Sequence, residues 1–184
     1  MLWRAIKVDL DAICSHGHTV KHEPQNGFTL QIGNRPELAH LTGHRVVCDF
    51  RVQDVALGGQ GAPLVPIGDK LLFGSYDYCL NLGGFANVST DREGRRIAYD
   101  ICPVNTVLNY LAEKMGLPYD KDGKIATEGV VDQQLLEILN NQEFYQRPAP
   151  KTLGIEWVHQ VIFPLIEDRK DIPVVMRTFA THVA

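Results

Sequence analysis

The chain has 184 residues, 45% hydrophobic and 22% charged, with a formal net charge of −4. This is the composition of an ordinary globular protein with room for one large or two small domains. It argues against a nucleic-acid partner, because no dense Lys/Arg stripe stands out, and against a membrane span, because no apolar run nears the roughly 18 residues one needs.

The N-terminus lacks the long apolar core of a signal peptide, which points to the cytoplasm. Cys14, Cys48, Cys79 and Cys102 are dispersed without a Cys-x-x-Cys pair. They read as small buried thiols in a reducing compartment rather than a disulfide frame or a thiolate zinc site.

In chain order, residues 5–14 have a strand pattern that empties into a polar loop over 15–24, and residues 28–33 alternate at period two like a half-buried strand. A short helix over 36–41 exits at Gly43. Residues 45–50 predict a strand with Asp49 near its end. It feeds a loop in which Gly58, Gly59 and Gly61 demand backbone freedom, and Pro63 can then open a helix over 64–73.

Residues 76–105 organise the rest. Apolar residues run to Asn81, Gly83-Gly84 makes a tight turn, β-formers resume at Phe85, and a turn over 91–94 returns the chain as a third strand that delivers Asp100 to its end. The chain then turns at Pro103 into a helix over 106–115 that stops at Gly116.

Turn chemistry follows over 118–123, then a helix over 131–139 with Leu135, Leu136, Ile138 and Leu139 to bury. Residues 147–150 break it, and a helix over 156–167 is kinked or ended by Pro164. Residues 174–184 open a helix with no stop signal, so the chain reads as a piece of something longer. The sum is an α/β protein of two lobes, 1–75 and 76–184.

Three constellations carry candidate chemistry. Ser15-His-Gly-His-Thr19 with His22 suits sugar contact, a zinc site built on His16, His18 and His22, or an ordinary polar loop. Asp49-Phe-Arg51 through Asp54 to Gly61 is either a substrate wall, with Arg51 and Asp54 bonding hydroxyl or carboxylate groups, or a salt bridge beside a glycine turn. Asn81, Gly83, Gly84 and Asn87, with Asp100 and Asn105 in the same unit, are either a turn where backbone N–H groups can approach an anion or a plain hairpin followed by an Asp that caps the next helix. A strand-end carboxylate beside such a turn is a candidate general base for phosphoryl transfer.

Together these residues resemble the anhydro-N-acetylmuramic acid kinases of bacterial cell-wall recycling. The matching pieces include Ser15-His-Gly-His-Thr19, His22-Glu-Pro24, Thr29-Leu-Gln-Ile-Gly33, Val47-Cys-Asp-Phe-Arg51, the block over 54–66, Leu80-Asn-Leu-Gly-Gly-Phe-Ala-Asn87, Asp100, Pro103, Asn105, Tyr119-Asp-Lys-Asp-Gly123 and Pro150-Lys151.

The resemblance implies an actin-like ATPase (ribonuclease H-like) fold of two α/β lobes, here incomplete at both ends, acting on an amino sugar with ATP and Mg²⁺. Members open the 1,6-anhydro ring and phosphorylate the freed 6-oxygen. By resemblance Asp100 is the base that activates water and the 81–87 turn is the second phosphate loop. The Ser15 and Arg51 loops face the sugar, with His16, Asp54 and Asn105 among the substrate contacts.

Two departures stand out. Where the family has Asp-Thr-Gly-Pro-Gly-Asn, this chain has Asp100-Ile-Cys-Pro-Val-Asn105, so Cys102 and Val104 replace glycines. The family's Gly-Thr-Ser-x-Asp-Gly loop and its glycine-rich adenosine motif are absent from the 184 residues. The isolated chain is therefore expected to be inactive and to expose apolar surface, with a tendency to associate that is compatible with a homodimer. A zinc-dependent hydrolase and a non-catalytic fragment are the competing readings.

Overall fold

β-branched and apolar residues around Ile13 and Val46 form a parallel pair in the first of two compact units, Met1–Val65 and Pro66–Ala184. The computed structural model describes residues 9–23, 26–59, 61 and 65–184. In the first unit β1 (Ile13–Ser15) lies on β4 (Val46–Cys48), with Ser15 opposite Cys48. The strand expected over 5–14 is thus confined to its last residues, and positions 5–8 lie outside the described residues.

The stretch expected as a polar loop is largely strand. β2 (His18–Glu23) pairs antiparallel with β3 (Phe28–Ile32), and a bulge at Val20 shifts the register. Position 18 lies opposite Ile32 and position 22 opposite Thr29, three residues apart on β3. An unbroken strand would put positions 18 and 22 on one face; the bulge puts them on opposite faces. The zinc reading loses its geometric basis there, and the His22 side chain and Pro24 lie outside the description.

β3 alternates as its pattern predicts, but the buried face is the polar one. Thr29 and Gln31 are 7% and 3% exposed, while Phe28, Leu30 and Ile32 lie on the exposed side. Helix α1 (Glu37–Thr42) closes at Gly43, whose φ of 69° is the left-handed exit that glycine allows.

The strand expected to reach Phe50 stops at Cys48. Asp49 turns the chain at φ 67°, a conformation Asp tolerates better than most residues, and α2 (Phe50–Ala56) begins at once. Arg51 and Asp54 consequently stand on a helix rather than in a loop. Gln60, Ala62, Pro63 and Leu64 lie outside the described residues, so the helix opening expected at Pro63 does too.

The helix expected over 64–73 is present as α3 (Val65–Leu72). The second unit then continues through an antiparallel sheet in the order β5 (Tyr78–Leu82), β6 (Phe85–Arg92), β7 (Arg95–Pro103). Glu93 and Gly94, with φ of 50° and 78°, make the two-residue turn between β6 and β7, the geometry that matches strand twist.

Helices follow: α4 (Asn105–Glu113), α5 (Lys124–Glu128), α6 (Gln133–Asn140), α7 (Glu143–Gln146), α8 (Ile155–Trp157), α9 (Phe163–Ile166) and α10 (Ile172–Val183). Helix α5 was not foreseen. Both carboxylate oxygens of Asp120 accept from the N–H groups of Ile125 and Ala126, which satisfies the helix start. Around Pro164 the helical run widens into a π turn over Val158–Ile162, because proline lacks an N–H and displaces the carbonyl four residues back.

The helices enclose the core. Leu111, Leu135, Leu139, Ile162, Ile166, Met176 and Phe179 are fully buried. Burying such a side chain contributes about 1.5–3 kcal/mol. Of the four residues expected to bury in α6, Leu135 and Leu139 do so, while Ile138 stays 43% exposed.

Apolar surface remains open on Leu71, Leu72 and the β5 face of Tyr78, Leu80 and Leu82. All four cysteines are free, but only Cys102 is buried and Cys14 is exposed, so the expectation of buried thiols holds for one. Among the described residues no helix is long and apolar enough to cross a membrane.

Candidate functional site

The sheet of the second unit builds a polar row. Asn81 pairs with Asn87 across β5 and β6, and Asn87 pairs with Asp100 across β6 and β7, so the three residues share one face. A bulge between Ala86 and Asn87 makes this alignment: Ala86 lies opposite Cys102 and Asn87 opposite Asp100, with Ile101 left over. Asn81 and Asn87 have no side-chain hydrogen-bond partner among the described residues.

Asp100 is half-buried, and the Leu153 N–H donates to its Oδ2 at 2.8 Å. Its own N–H donates to the Lys151 carbonyl at 2.9 Å. Burial raises the carboxyl above its ordinary value and the Leu153 bond partly offsets this. A carboxylate with raised proton affinity and one uncommitted oxygen can accept a proton. Sequence reasoning missed Leu153 and the Lys151 carbonyl, since backbone groups 50 or so positions away leave no local signal.

The Gly83-Gly84 turn differs from the expected cradle of backbone donors. Neither glycine has a left-handed φ, and the Gly83 N–H donates to Phe85 O at 3.2 Å. The turn instead offers carbonyls to the start of α4. Gly84 O accepts from the N–H groups of Val104 and Thr106 and from the Thr106 hydroxyl, while Gly83 O accepts from the Asn105 N–H and from Asn105 Nδ2 at 2.9 Å. Asn105, expected as a substrate contact, thus spends its amide on the turn. A Cβ on Gly84 would stand 2.9 Å from Thr106 Oγ1, whereas one on Gly83 would meet nothing nearer than 3.5 Å.

Cys102 and Val104 do not need the freedom of the glycines they replace. Both are buried in a small cluster with Ala86, and neither has a positive φ. Burial pushes the Cys102 thiol up to about 11, so it stays protonated at neutral pH.

The first unit gathers the other candidates within itself. Ser15 Oγ donates to the Gly33 carbonyl, and the exposed His16 ring bonds the Gly17 carbonyl at 2.9 Å through Nδ1. A Cβ on Gly17, whose φ is 73°, would stand 2.7 Å from Ile32 O and close to the Gln31 and Asn34 side chains. Asn34 in turn donates to Asp49.

Arg51 donates to Thr19 Oγ1 at 2.5 Å and to Gly61 O at 2.6 Å, and burial holds its guanidinium below its ordinary value. Asp54 Oδ2 accepts from the Gly61 N–H at 2.6 Å. The two residues therefore fold the glycine loop back onto α2 and do not pair with each other; Gly59 carries no Cβ where the Asp54 carboxylate sits. Gln31, beside Thr19 and Thr29, has a buried Oε1 with no partner.

A family model described as anhydro-N-acetylmuramic acid kinase matches residues 4–171. The chain belongs to this family. A relative named anhydro-N-acetylmuramic acid kinase from Pseudomonas savastanoi pv. phaseolicola is 42% identical over 170 residues, covering 87% of this chain and 47% of the relative. A relative of the same name from Pseudomonas putida is 46% identical over 150 residues, 79% of this chain and 41% of its own. One from Shewanella sp. (strain ANA-3) is 39% identical over 190 residues, 96% and 52%.

The chain spans about half the length of the curated anhydro-N-acetylmuramic acid kinases it matches. Membership of a kinase family leaves the zinc-hydrolase reading without support. Among the described residues no group of three or more His, Cys, Asp or Glu side chains could hold a metal ion.

Proposed function

We propose that this chain supplies the general base and a phosphate-facing turn of an ATP-dependent kinase that opens anhydro-N-acetylmuramic acid and phosphorylates it to N-acetylmuramic acid 6-phosphate. The observation that carries the reading is the row of Asn81, Asn87 and Asp100, in which one half-buried carboxylate has a single N–H donor and two unpartnered amides beside it.

In this reading Asp100 takes a proton from water through Oδ1. The water oxygen bonds to the anomeric carbon, and the bond from that carbon to the bridging 6-oxygen breaks. The 6-oxygen leaves with the electron pair and takes the terminal phosphoryl group of ATP, releasing ADP. The proton on Asp100 then passes to solvent, so atoms and charge balance. Asn81 and Asn87 fit a phosphate ligand through their side-chain amides, beside the Gly83-Gly84 turn, whose Gly83 N–H is engaged by Phe85 O.

Mg²⁺ in such sites is held by phosphates and one or two carboxylates with water, and it would neutralise the charge that develops on the phosphates. The first unit's Ser15, His16, Arg51 and Asp54 are assigned to the amino sugar. The family resemblance further supports an actin-like two-lobe fold with lobes at 1–75 and 76–184, and action in the cytoplasm.

The test is to incubate a kinase of family length carrying this segment with ATP, Mg²⁺ and anhydro-N-acetylmuramic acid and follow the phosphosugar by mass spectrometry. Loss of a general base is worth about 10²–10⁴-fold, so Asp100→Asn should lower turnover by that much with its thermal unfolding little changed. Wild-type turnover in Asp100→Asn would remove Asp100 from its role.

A further inference from the structure

Asp100 is held from outside its own sheet. Asp100 does not end the third strand as expected, since β7 runs on to Pro103; residues 151–153 run beside it, accept the Asp100 N–H on the Lys151 carbonyl, and return the Leu153 N–H to Asp100 Oδ2. This strap has its own anchor. The Lys151 ammonium donates to the carbonyls of Phe144 at 3.1 Å and Tyr145 at 3.4 Å, and lies 4.6 Å from the centre of the Phe144 ring. Phe144 is 2% exposed and packs against Trp157, so the anchor is fixed in the second unit's interior.

We propose that Lys151 is a positioning residue for Asp100: by pinning the strap to the end of α7 it keeps the Leu153 N–H on one carboxylate oxygen and leaves the other as the proton acceptor. The inference rests on the reading of Asp100 as the base for its functional meaning, but the geometry is independent of it. The groups facing Asp100 along the sheet, Asn81 and Asn87, are uncharged. Cys102, two residues on, is kept protonated by burial. The strap is therefore the polar contact that Lys151 can alter without changing any other charge in the row.

The experiment is carboxyl and amide NMR on the 184-residue chain. In the wild type the Leu153 amide proton should move with the titration of Asp100. In Lys151→Met, which keeps the aliphatic stem against Phe144, the Asp100 titration should shift further up. Loss of a hydrogen bond to a charged group should speed Leu153 amide exchange about tenfold or more. Leu111 and Phe179 amides should keep wild-type protection, and Lys151→Arg should restore the wild-type titration.

A folded Lys151→Met with unchanged Asp100 and Leu153 signals overturns the proposal. So does a wild-type Leu153 amide that ignores the titration. If Lys151→Met fails to fold, Lys151→Gln takes its place, and unchanged Asp100 and Leu153 signals in that variant overturn the proposal in the same way. None of these readouts uses turnover, so they separate failure of this inference from failure of Asp100 as the base.

Discussion

Two adjacent glycines, Gly83 and Gly84, should respond oppositely to alanine. In Gly84→Ala the new Cβ falls 2.9 Å from Thr106 Oγ1, and Thr106 must rotate and give up its hydroxyl bond to Gly84 O. That hydrogen bond is worth about 1 kcal/mol net, and the displaced rotamer adds about 0.5–1.5 kcal/mol. Alanine's smaller unfolded-state entropy returns about 0.4–1 kcal/mol, because the backbone there is not left-handed. The net is a loss of about 1 kcal/mol.

Gly83→Ala meets nothing nearer than 3.5 Å and keeps only the favourable part. The two variants should therefore differ by about 2 kcal/mol, or roughly 8 °C in midpoint for a unit of this size. Thermal and urea unfolding of the chain would measure it, with Thr106→Ala as a second background in which Gly84→Ala should lose less. A Gly83→Ala variant as destabilised as Gly84→Ala would refute the reasoning, since it would mean that the turn needs glycine at both positions for its backbone.

Two further predictions concern stability. Gly129→Ala would drive a Cβ to 2.1 Å from the Pro173 carbonyl, a backbone atom that cannot rotate away, so destabilisation at the upper end of point substitutions, about 3 kcal/mol or more, is expected by urea unfolding. Asp100 and Asp132 should have opposite pH signatures. The Leu135 N–H, then Arg169, hold the Asp132 carboxyl below its ordinary value, so its stabilisation is present above the unfolded value and fades as pH falls through the folded one. Asp132→Asn keeps the helix cap and should narrow its gap to wild type in acid. Asp100 is raised, so its contribution is full below the unfolded value and lost as pH rises through the folded one; relative to Asp100→Asn, wild type should gain as pH falls.

Much of the second unit was legible because its signals are local. Apolar alternation, the Gly83-Gly84 break and the turn ending at Gly94 placed β5, β6 and β7, and Gly116 marked the end of the helix after Pro103. The alignment of Asn81, Asn87 and Asp100 was not legible, because it depends on a bulge that leaves Ile101 unpaired. The first unit was harder. Ser15-His-Gly-His-Thr19 is polar enough to read as a loop, yet Thr19 and Val20 favour strand once β3 supplies a partner. Asp49 likewise hides a helix start behind a strand pattern, because its left-handed φ cannot be read from composition.

The neutrality of the row around Asp100 bears on what kind of base it can be. A lysine or arginine beside it would hold the carboxylate ionised but weaken its pull on a proton. Burial with a single N–H donor does the reverse, raising proton affinity towards the working pH while leaving an oxygen free. One group near the strap, His182, titrates in the same acid range as a carboxyl. Burial pushes His182 down to about 4, where Tyr145 and Asn140 bond both ring nitrogens, and pushes the Tyr145 hydroxyl up. With Cys102 also protonated, none of the three changes charge across the neutral range. If Asp100 is the base, the acid limb of a pH–rate profile therefore reports on the carboxylate that the Leu153 N–H holds in place, with His182 as the neighbour that titrates beside it.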